Sequence, residues 1–115
     1  MSPGSPGWES AGLGFAAIHN LVASTAVAVA PDGVRVNALV AGVTADLAAM
    51  IATQRGITLD AVRARIPDGR FIDAEALGNA LLYLVHDSAS YVTGETLTVD
   101  GGWDVWGRLH AAAPA

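Results

Sequence analysis

The stretch Gly12-Leu13-Gly14-Phe15-Ala16-Ala17 fits the pattern G-x-G-x-x-A and opens an expected helix. In such a pattern small residues let the backbone N–H groups of a helix N-terminus approach a pyrophosphate. The arrangement also needs a strand directly before the glycines and an acidic residue about twenty positions on, at a strand end. Here a Ser/Pro/Gly stretch precedes Gly12, and Asp32 lies in a turn ahead of a strand. The pattern therefore reads as small residues that allow close helix packing.

His19, His86 and His110 share no paired spacing and no nearby carboxylate on one helical face, so no metal site is expected. His19 with Asn20 reads as a surface or internally satisfied helix pair. Tyr83 and Tyr91 carry phenols that could move a proton, but all six basic residues are Arg, so no Lys stands near to lower a phenol pKa. Both tyrosines read as packing residues with one tied hydroxyl. Arg63 and Arg65 with Asp60 and Asp68 read as solvated helix charges. Trp8 reads as an anchor on the body or as exposed. Trp103 and Trp106, either side of Asp104-Val105, read as packing a C-terminal turn, at an interface or over a lid.

The chain must position these residues with 115 amino acids, enough for one domain and short for a dinucleotide-binding fold built from two βαβαβ halves. The length points to part of a larger fold. Hydrophobic residues make up 52% and charged residues 15%, which argues against disorder and leaves little charge to cover a small body, so exposed apolar surface and a partner are expected. A net charge of −5 with scattered Arg is wrong for a phosphate-backbone binder, so no nucleic acid is expected. There is no cysteine, hence no disulfide, thiolate site or cysteine nucleophile. The most apolar stretch, Leu21 to Ala30, is read as too short and too rich in Ala, Ser and Thr to span a bilayer. A cytoplasmic protein without membrane contact is expected.

Residues 1–10, with two Ser-Pro-Gly triplets, read as a flexible leader, 11–106 as an α/β domain, and 107–115 as a frayed tail. Ala11 to Ala30 should be a buried helix. Pro31-Asp32-Gly33 breaks it, and Val34 to Val40 reads as a β-branched strand ended by Gly42. Leu47 to Ile51 and Leu59 to Ile66 read as two short helices hinged at Gly56, with Thr58 or Asp60 near the second start, able to make a lid. Asp73 should cap a helix carrying Leu77, Leu81 and Leu84 on one face and ending near His86. After the polar turn Asp87-Ser88-Ala89-Ser90, Thr96 to Val99 reads as a strand stopped by Asp100-Gly101-Gly102.

The ordered run Ile66 to Trp103, with IPDGRF, then a helix, then ASYVTGETLTVDGGW, resembles the C-terminal end of a short-chain dehydrogenase/reductase. The resemblance extends backward through Pro31, Gly33, Val34-Arg35-Val36-Asn37 and Ala41-Gly42, where Ala41 replaces the family's Pro. It implies NAD or NADP as cofactor, with Asn37, Gly42, Val43 and Thr44 as the cofactor-binding residues; the four-residue step from Gly42 lands on Asp46, whose carboxylate would repel a cofactor phosphate. The family's chemistry uses a Tyr to pass a proton while hydride moves and a Lys four residues on. Counted back from Pro31, these positions fall on Ala11 and Phe15, with Phe15 expected to fill the space of the Lys and ribose. The family's Ser has no clear match among Ser2, Ser5 and Ser10, and its glycine loop is absent.

Together these readings predict a partial Rossmann-like α/β fold: helix, strand, small helical lid, helix, strand, with the two strands parallel and adjacent through a right-handed crossover. The resemblance implies an oxidoreductase of NAD(P)-dependent alcohol and ketone chemistry that is truncated and inactive alone. The alternative is a non-catalytic interaction subunit pairing with itself or with a full-length relative, because a two-stranded sheet leaves both edges open.

Overall fold

A computed structural model describes residues 9–105, with side chains from residue 13. The leader up to Trp8, together with Trp106, His110 and the tail, lies outside the described residues. The chain divides into two units, one of Ala41–Leu77 with the chain from Thr98, the other of the chain up to Val40 with Gly78–Leu97. The element order is α1 (Glu9–Val29), β1 (Ala38–Ala41), α2 (Ala45–Arg55), α3 (Leu59–Arg63), α4 (Ala74–Val85) and β2 (Thr96–Val99). It is the expected α/β order.

The sheet has two strands, β1 beside β2. Ala38 N–H bonds the Glu95 carbonyl and Gly42 N–H the Val99 carbonyl, both at 2.8 Å. Each step of four along one strand matches a step of four in the same direction along the other, so the pair is parallel. The strand expected over residues 34–40 starts later, at Ala38. Val34 to Asn37 have suitable side chains, but what lies across from them is a turn: Val36 N–H bonds Thr93 Oγ1 at 3.1 Å, and Gly94 N–H bonds the Val36 carbonyl at 2.8 Å. A hydroxyl there takes the place of a ladder carbonyl.

The unit holding Ala41–Leu77 has the better core. Val43, Ala48, Ala52, Val62 and Ile66 are buried together, with Leu47, Ile51, Ile57, Phe71 and Trp103 packed around them. Local signals set its helices. Thr44 caps α2, its Oγ1 accepting from Leu47 N–H at 3.2 Å, and Thr58 caps α3, its Oγ1 accepting from Ala61 N–H at 3.1 Å. Between the two expected candidates, Thr58 is the cap. Asp60 instead sits in the first turn and pairs with Arg63 at 2.7 Å. Gly56 ends α2 with a left-handed φ of 62°, and Ile57 N–H returns to the Ala52 carbonyl at 3.0 Å. That is the predicted hinge.

In the other unit, α1 runs where expected, but it is not buried. Leu13, Phe15 and Val27 are 73%, 68% and 78% exposed, and Ala26 alone among the described α1 residues is buried. A helix that is apolar all round needs neighbours all round. This unit offers it only a strand pair and part of a helix. Leu13–Asp32, a longer stretch than Leu21 to Ala30, is long and apolar enough, by length and composition alone, to cross a membrane. Within it, His19 Nδ1 lies 2.8 Å from Thr96 Oγ1.

Asp73 caps α4 as predicted, Oδ1 accepting from Ala76 N–H at 2.8 Å. Asp73→Ala should lower stability by about 0.5–2 kcal/mol, with Asp73→Asn nearly neutral. Urea unfolding measures both, and equal losses for the two variants would show that the cap is not the cause.

Candidate functional site

The turn that leaves β1, Ala41-Gly42-Val43-Thr44, is the part of the chain around which a site can be built. It passes so close to the turn after β2 that a Cβ on Gly42 would lie 2.7 Å from Asp100 Cα. Only glycine fits this approach. Val43 is buried, and its carbonyl accepts from Ile72 N–H at 2.9 Å, fixing the segment before α4 against the turn. A cleft of about 400 Å³ opens here, lined among others by Gly42, Val43, Asp68, Arg70, Asp73 and Asp100.

Three carboxylates and one guanidinium dominate its polar lining. The Asp100 carboxylate is committed to its own turn, Oδ1 accepting from Gly102 N–H and Oδ2 from Asp104 N–H, both at 2.9 Å. The Asp73 carboxylate caps α4. Arg70 donates to Asp68, with Nε and a terminal nitrogen each 2.9 Å from Oδ2. Nearby, the Arg63 guanidinium lies 4.9 Å from the centre of the Phe71 ring. Among the described residues no histidine, serine, threonine, tyrosine or lysine lines the cleft with them.

Of the four residues assigned to the cofactor, Gly42 and Val43 meet at this cleft and the other two do not. The Thr44 hydroxyl is engaged as the α2 cap. Asp46, in the first turn of α2, sits where a carboxylate favours a helix N-terminus. Asn37 belongs to the other unit, where Nδ2 donates to the Val92 carbonyl and Oδ1 accepts from Glu95 N–H, both at 3.0 Å. Arg35 adds a bond to the same Val92 carbonyl at 3.2 Å. Both line a second cleft of about 550 Å³ with Leu39, Leu81 and Leu84. Asn37 is thus a clamp on a turn, a role that its paired donor and acceptor allow and that its place before a strand concealed.

The remaining expectations divide. Arg63 with Asp60 is a solvated helix pair, and Trp103 packs on the core. Asp68 pairs with Arg70, a partner absent from the sequence reading. Tyr91 does not pack: it is fully exposed in the turn before β2. His86 caps the 3-10 turn Asp87–Ala89, its Nδ1 accepting from Ser88 N–H at 3.0 Å. Gly14 faces open space, so close packing does not explain the second glycine of the pattern; Gly12 lies outside the residues whose surroundings are described. Ala11 lies in α1 with its side chain outside the described residues. Phe15 is mostly exposed and fills no site, contrary to expectation. Among the described residues no three His, Asp or Glu side chains gather to hold a metal.

The family model described as enoyl-(acyl carrier protein) reductase matches residues 5–104. A 3α-hydroxysteroid dehydrogenase of Mediterraneibacter gnavus is 41% identical over 85 residues, which span 74% of this chain and 33% of that protein. The NADH enoyl-acyl-carrier-protein reductase of Neisseria meningitidis is 32% identical over 100 residues, 87% of this chain and 38% of that protein. Among solved structures, a short chain dehydrogenase family protein from Francisella tularensis superposes with a TM-score of 0.68 at 22% identity, covering 78% of this chain and 41% of that one, which shows the fold. The chain belongs to the short-chain dehydrogenase/reductase family. It spans about a third of the length of the curated relatives it matches.

The family's cofactor is NAD or NADP. The cleft does not fit the phosphates of either. Among the described residues its lining carries three carboxylates and one guanidinium, already paired to Asp68, a set that repels a phosphate more than it attracts one.

Two substitutions probe this geometry. Gly42→Ala should destabilise the chain by about 1–3 kcal/mol, because Asp100 backbone cannot yield as a side chain would; a melt unchanged from the parent would refute the close approach. Phe15→Lys, at an exposed position, should change stability by less than about 0.5 kcal/mol. A loss of several times that in urea unfolding would show that Phe15 is packed.

Proposed function

We propose that this chain forms the strand-end turn and C-terminal segment of an NAD(P)-dependent short-chain oxidoreductase and does not transfer hydride by itself. The observation that carries the reading is the acidic cleft at Gly42 and Val43, whose only guanidinium among the described residues is tied to Asp68. The family positions of the proton-passing Tyr and its Lys hold Ala11 and Phe15, neither of which can move a proton. The substrates in view are alcohols and ketones, the class to which the hydroxysteroid relative's name belongs. The reading takes the protein as cytoplasmic, with neither nucleic acid nor membrane among its partners.

Titration of the chain with NADH and with NADPH, followed by nicotinamide fluorescence, should show no saturation in the micromolar range. Micromolar binding of either would overturn the proposal. The double variant Ala11→Tyr with Phe15→Lys should give no turnover on an aldehyde and ketone panel, because acid–base groups without a bound, oriented hydride donor lack a proximity term of about 7–11 kcal/mol. Turnover by that variant would show that the missing pair alone accounts for inactivity.

A second reading, an interaction subunit that pairs with itself or with a full-length relative, is favoured by the large exposed apolar side chains around α1. Sedimentation at micromolar concentration should show self-association. A folded monomer would remove self-pairing as a reading, leaving a heterologous relative as the only partner to test.

A further inference from the structure

We draw no further inference here: the strongest candidate, the apolar surface of α1 carrying Leu13, Phe15, Ile18, Leu21 and Val27, is exposed, and nothing in the structure shows what covers it.

Discussion

The meeting of two backbones at Gly42 and Asp100 constrains the rest of the first unit. A parallel pair cannot be closed by a tight hairpin, so its strands are tied at their ends by whatever the intervening chain supplies. Here the tie is steric and polar at once. Gly42 N–H reaches the Val99 carbonyl while its missing Cβ leaves room for Asp100, and the Asp100 carboxylate then orders the turn that follows. The Val43 carbonyl carries the same order to Ile72 and so to the start of α4. With the turn fixed this way, the Asp73 and Asp100 carboxylates serve the backbone, and Arg70 is paired to Asp68, which leaves the cleft little to offer a phosphate.

The parts legible in the sequence were those decided locally. Asp73, Thr58 and Gly56 act on residues within one helical turn, and each did what its type and position implied. The Thr44 cap was written just as locally, as a threonine three residues before Leu47, but a family role had been laid over it. Gly42 and Val43 were found through the resemblance, and the steric reason for glycine, contact with a residue 58 positions away, was not readable from either segment alone.

What failed was nonlocal in each case. Whether Val34 to Asn37 extend a strand depends on what stands opposite, and Thr93 and Gly94 bring a turn there. Whether α1 is buried depends on neighbours, which composition does not count: an alanine- and valine-rich helix can demand a partner without having one. Phe15 was misjudged for the same reason, since a large apolar side chain on such a helix packs only where something faces it.

Asn37 shows how narrowly a single side chain can be held. Its amide must donate to one carbonyl and accept from one N–H on opposite sides of a short turn. An isosteric Asp would keep the acceptor but set a negative charge against the Val92 carbonyl, and an isosteric Leu would fill the volume while leaving Glu95 N–H to find water and the Val92 carbonyl to Arg35 alone. Gln has both groups but sets them one carbon farther out. No replacement of similar size preserves both bonds, so this position tolerates less chemical variation than the buried valines, for which another hydrocarbon of similar shape suffices.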